Sequence, residues 1–155
     1  MSAIHVPAVT SVLAFLMLST SPVLACSCRE GTSQERFDRA ELVIRGRVKE
    51  VTYGDITPGS GLPEVMPRAT RSEVEIEKVL KGALKERSVP VYTGTGLGDC
   101  GLLGYFLNAA VYYEDEKFGV IELALEKSDL AGQPIYLATM CGYLKEPRDE
   151  EQQAQ

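Results

Sequence analysis

The sequence has no tryptophan and a single histidine, His5. Basic residues are scarce: 16 Lys+Arg stand against 22 Asp+Glu, for a net charge of −6. A phosphate-backbone binder needs a basic face, so this balance argues against nucleic acid as a partner. The apolar centre of the N-terminal segment, Val12–Leu18, holds seven residues. A membrane-crossing helix needs roughly 20. No internal repeat or low-complexity linker divides the chain, and 155 residues suit one domain.

Residues 1–25 carry no Asp, Glu, Lys or Arg. Ser19, Thr20, Ser21 and Pro22 break the apolar run, and Val23-Leu24-Ala25 precedes Cys26. A short apolar stretch before a small-residue cleavage site predicts a signal peptide over 1–25 and a secreted or extracytoplasmic mature chain. Its removal takes the histidine with it. Ser-His and Cys-His nucleophile pairs, HExxH zinc sites and imidazole ligands are then excluded, and no other catalytic constellation stands out. The expectation is a non-enzymatic protein with no cofactor and no metal of its own. Val23-Leu24-Ala25-Cys26 also resembles a lipobox, so a chain lipid-anchored at Cys26 is the alternative location. A membrane would be a partner only in that case. A lipidated Cys26 would leave three thiols, and an even set of four suits an oxidising compartment better.

Thr32-Ser-Gln-Glu35 fits a capping box and predicts a short helix over Ser33–Ala40, with Phe37 and Ala40 facing inward. Glu41–Tyr53 alternates with period two. Leu42, Ile44, Gly46 and Val48 share one face, and Val43, Arg45, Arg47, Lys49 and Val51 the mostly wet one. Gly46 predicts a bulge or bend. Gly54–Pro67 reads as a surface loop, Ser72–Leu80 as a second strand turned by Lys81-Gly82, and Val89–Thr93 as a third. Pro90 confines that third strand to an edge or a strand start. Gly94–Gly101 is a glycine-rich loop. Ala109–Tyr113, with Tyr112 and Tyr113 half-buried, Gly119–Leu125 and Pro134–Thr139 read as further strands. The tail over 146–155 is charged and reads as disordered. Five or six short strands with one short N-terminal helix predict a mainly β fold, a small antiparallel barrel over 26–145.

The cysteines are Cys26, Cys28, Cys100 and Cys141. A Cys26–Cys28 bridge would be strained. Both remaining pairings tie the start of the mature chain to distant strands, each worth about 4 kcal/mol in the chain-entropy model. A tetrathiolate zinc site is the competing reading, but it expects paired CxxC knuckles, and Cys100 and Cys141 stand alone. Gly94-Thr-Gly-Leu-Gly98 has the look of a phosphate loop, yet no helix pattern follows it. Glu73, Glu75 and Glu77 could bind Ca²⁺, but a solvated strand face explains them, with Arg45, Arg47 and Lys49 as cross-strand partners.

Cys26-Ser27-Cys28, the helix with Phe37 and Ala40, Leu42-Val-Ile-Arg-Gly-Arg-Val48, Val79-Leu-Lys-Gly82, Asp99-Cys100-Gly101 and Met140-Cys141-Gly142 form an ordered set. That set resembles the netrin-like domain of the tissue inhibitors of metalloproteinases, in particular its bacterial secreted relatives. The resemblance covers the mature chain to about Tyr143 and is weakest over 102–133. It implies an OB-like five-stranded barrel with two disulfides, Cys26–Cys100 and Cys28–Cys141. It also implies a protein partner, in inhibitory members a zinc metalloprotease whose ion is chelated by the α-amine and carbonyl of the first cysteine. Here those atoms belong to Cys26. Ser27 would enter the specificity pocket, with Cys26 and Cys28 on the same protease-facing ridge and Leu97-Gly98-Asp99-Cys100 beside it as a second ridge. Arg29-Glu30 replaces the small apolar residues of inhibitory members. The first expectation is therefore a secreted or envelope-associated binding or structural module, with metalloendopeptidase inhibition as the alternative.

Overall fold

The computed structural model describes residues 26–56, 66–116, 118–130 and 132–145. The expected signal peptide, most of the Gly54–Pro67 loop and the charged tail lie outside the described residues. The fold is mainly β. Helix α1 (Ser33–Arg39) is followed by β1 (Leu42–Ile56), β2 (Met66–Lys81), β3 (Ser88–Thr93), α2 (Leu103–Val111), β4 (Val120–Leu130), β5 (Gln133–Leu137) and β6 (Leu144–Lys145).

The capping box forms as read. Thr32 Oγ1 accepts from the Glu35 N–H, and the Glu35 carboxylate accepts from the Thr32 N–H at 2.7 Å. That bond lowers the Glu35 pKa. At the other end of α1, the Lys81 amine donates to the carbonyls of Phe37 and Asp38 and lies 5.7 Å from the Phe37 ring centre. A cation suits a helix C-terminus. Lys81 is the cross-strand partner of Val43, so the two share a face. Val43 is fully buried, although the alternation places it on the side of β1 that it marks as wet.

The long β1–β2 ribbon is antiparallel, from Val43↔Lys81 to Ile56↔Met66. It shifts register between Arg45 and Gly46, as the glycine suggests. A Cβ on Gly46 would stand 2.4 Å from the Glu75 carbonyl oxygen. The first part of β1 pairs on its other edge with β4, from Leu42↔Leu125 to Arg47↔Val120. β2 pairs with β3, β3 with β5, and β5 with β4. The pairings thus return to β1. One of them departs from the all-antiparallel expectation: β3 and β5 run parallel through Val91↔Tyr136 and Tyr92↔Leu137. Pro90 lies just before that ladder begins, where no N–H is required of it on the β5 side.

The main core joins Leu42, Ile44, Val48, Val74, Val89, Val91, Ile121, Leu123 and Leu125 to Leu102, Phe106 and Ala109. The last two residues belong to α2, which corrects two expectations. The fold has a second helix, and Ala109–Tyr113 is not a strand. Leu102, Phe106 and Ala109 recur at helical spacing and point one face inward, with Phe106 wholly buried. Tyr112 then lies exposed beyond the helix end, and Tyr113 is half-buried. A smaller cluster of Ile56, Ala69, Tyr92 and Ile135 closes the far part of the ribbon.

Candidate functional site

The cysteines gather the start of the described chain onto the turns that follow β3 and β5. Cys26 bonds to Cys100 and Cys28 to Cys141, with Cα separations of 5.1 and 5.0 Å. Cys26 and Cys28 are half-buried while Ser27 between them is exposed, as are Arg29 and Glu30. The Met140 N–H donates to the Cys100 carbonyl at 3.0 Å, so the two turns are joined by backbone as well as by sulfur.

The glycine-rich loop beside Cys100 is built around Asp99. Its carboxylate accepts from the N–H groups of Thr95 (2.8 Å), Gly96 (2.6 Å) and Gly101 (3.0 Å) and from the Thr95 hydroxyl (3.1 Å). These bonds, that from Thr95 foremost, hold the Asp99 carboxyl down to about 2. The loop closes on itself so tightly that a Cβ on Gly101 would stand 1.9 Å from the Gly94 carbonyl carbon. A helix does follow this loop, contrary to the sequence reading, since α2 starts at Leu103. The loop still lacks what a phosphate site needs, because the Asp99 carboxylate occupies its inward N–H groups.

Leu97 rides on the crest of this loop, 80% exposed, and Met140 on the facing turn is 39% exposed. The structure thus unites Cys26, Ser27, Cys28 and Cys100 through the sulfur bonds. It attaches Leu97, Gly98 and Asp99 through the loop that ends at Cys100. The sequence reading missed Met140, Thr95 and the anchoring role of Asp99. Met140 was masked by its place beside Cys141, and Thr95 carries no signal of its own.

The acidic face of β2 is internally satisfied. Arg47 contacts Glu77 at 2.6 Å and donates to the carbonyls of Tyr113 and Asp115. Arg45 reaches Glu77 at 3.6 Å and Glu122 at 3.5 Å. Glu73 holds Arg71 and Ser88. The Tyr113 hydroxyl donates to Glu75 at 2.6 Å, a bond that raises the phenol pKa. The three carboxylates therefore already have protein partners, which favours the solvated-face reading over a Ca²⁺ site. Among the described residues, Lys49 forms no cross-strand ion pair of the kind that the alternation suggested for it.

On the other side of the sulfur cluster, Arg36, Arg39, Lys127, Thr139, Cys141 and Tyr143 border a groove of about 470 Å³. Phe37 packs edge-on against Tyr143 at 5.1 Å beside it. No protein-family model matches this chain, and no curated protein matches it.

Proposed function

We propose that the chain is a secreted or envelope-associated, non-enzymatic binding module with an OB-like barrel, similar to the netrin-like domain of the tissue inhibitors of metalloproteinases. The cyclic order of strand pairings, with one parallel closure between β3 and β5, supports the barrel. The observation that carries the binding role is the double anchoring of Cys26 and Cys28 beside the exposed Leu97 loop. A tip held at two points loses little conformational freedom on docking, so its contacts are not spent on ordering it. The occupant is a protein partner that meets Ser27, Leu97 and Met140.

The same geometry favours one specific second reading. If the mature chain starts at Cys26, its α-amine and carbonyl sit on that rigid tip. A protease zinc keeps an open coordination position, and an α-amine with a pKa near 8 gives up its proton to a metal at little cost. Arg29 and Glu30 are exposed, so both charges can stay hydrated at the rim of such a contact.

One experiment tests both readings. A photo-crosslinking residue is placed at Ser27 or at Leu97, with exposed Lys49 as control, and the producing cells are irradiated. A discrete adduct from both tip positions and not from Lys49 is expected. Equal labelling from all three sites, or none, removes the binding role. In parallel, the chain starting at Cys26 and the same chain extended by one N-terminal Ala are assayed against a panel of zinc endopeptidases. Inhibition abolished by the extension selects the inhibitor. Absence of inhibition, or indifference to the extension, leaves the binding module alone.

A further inference from the structure

The two bridges touch each other. Cys141 Sγ lies 3.5 Å from Cys100 Sγ and 3.9 Å from Cys26 Sγ, each across the gap between disulfides. All four sulfurs lie within 4.8 Å of one another. Four thiolates bound to zinc at about 2.3 Å stand at the corners of a tetrahedron with edges of about 3.8 Å. The two contacts that Cys141 makes across the gap are already near that length, and Cys28 lies within 4.8 Å of the other sulfurs. Reduction frees the bonded sulfurs to separate, and rotation of the four cysteine side chains can bring the set to that geometry. The Met140–Cys100 hydrogen bond joins the Cys100 and Cys141 turns independently of the bridges, so two of the four ligands stay side by side when the bridges are open, and the ion itself draws in Cys26 and Cys28. Asp99 is engaged by Thr95, Gly96 and Gly101 and does not compete as a ligand. The cysteines are half-buried, and Cys141 borders the groove beside α1, so reductant and ion have a way in.

We propose that in the reduced chain Cys26, Cys28, Cys100 and Cys141 form a tetrathiolate zinc site, a second closed state of the same tip. Each disulfide takes two electrons and two protons from a dithiol reductant, which leaves as its own disulfide, and becomes two thiols. Zn²⁺ then displaces the four thiol protons to solvent and is bound by four thiolates, with no change in its oxidation state. A set of four soft sulfur donors selects zinc over the hard cations. This state goes beyond the binding role, which belongs to the oxidised tip, and the two are tested on different forms of the protein.

The full chain, reduced with a phosphine under anaerobic conditions, is titrated with Co²⁺ as a visible probe. The expected result is a set of cobalt–thiolate charge-transfer and tetrahedral d–d bands that saturate at one ion per chain. One equivalent of Zn²⁺ should bleach them and raise the thermal midpoint of the reduced chain, and the oxidised chain should give no bands. Cys100→Ser and Cys141→Ser should each weaken zinc binding at least about tenfold, the loss typical of a damaged ligand set. Either variant can lose its fold for want of a bridge, so zinc-edge X-ray absorption on the reduced wild type counts the ligands independently, and four sulfurs are expected. Absence of thiolate bands, saturation below one ion per chain, fewer than four sulfurs, or binding without thermal stabilisation would each overturn the proposal.

Discussion

Asp99 shows what a single side chain does at this tip. Its carboxylate replaces the water or neighbouring backbone that the N–H groups of Thr95, Gly96 and Gly101 would otherwise need. Its folded pKa of about 2 lies below the ordinary 3.8, so its stabilising effect is complete above 3.8 and is lost as pH falls through about 2. The carboxyl carbon of Asp99 should therefore titrate near 2 by NMR, below the ordinary 3.8. Asp99→Ala should speed hydrogen exchange at the Thr95, Gly96 and Gly101 amides while leaving the β1–β2 ladder protected. Unchanged exchange at those three amides would show that the loop does not depend on it. Gly101 is equally specific. Any side chain there meets the Gly94 backbone, so Gly101→Ala should cost about 3 kcal/mol or more in denaturant unfolding.

Among the elements, α1 and β1 were the most legible, because each carries a signal with its own chemistry. Thr32 and Glu35 stand at capping-box spacing, and the alternation from Leu42 to Val48 matches a half-buried strand. Thr32→Ala should lower stability by about 1 kcal/mol, read from the denaturation midpoint. Helix α2 was illegible for a physical reason. Its N-cap is Leu102, which makes no side-chain cap bond; its N–H is taken by Thr93 Oγ1 at 3.1 Å, a partner outside the helix. Its last residues and the two that follow it, Ala109-Ala-Val-Tyr-Tyr113, have the composition of a strand, and only the buried spacing of Leu102, Phe106 and Ala109 gives the helix away. The parallel direction of β3 against β5 was also out of reach. Direction is set by the path of the chain through α2 and β4, and no residue in Val89–Thr93 or Pro134–Leu137 encodes it. The cysteine pairing came only through the family resemblance, since four cysteines alone left two pairings open.

At the scale of the molecule, the bridges span 74 and 113 residues and fasten the first described residues to the turns that follow β3 and β5. Replacing both Cys28 and Cys141 by Ala should cost about 4 kcal/mol in the chain-entropy model, read by urea unfolding. The loss acts through the unfolded chain, because the main core uses neither sulfur. A double variant as stable as wild type would show that the fold needs no fastening there. The spacing has a further consequence for biosynthesis. The ribosome delivers Cys26, Cys28 and Cys100 first, and Cys141 follows Cys100 by 41 residues. During that interval two N-terminal thiols compete for one partner, and the wrong choice strands Cys26 until Cys141 emerges. Correct oxidation therefore belongs to the end of synthesis, or to a catalyst that can undo an early error.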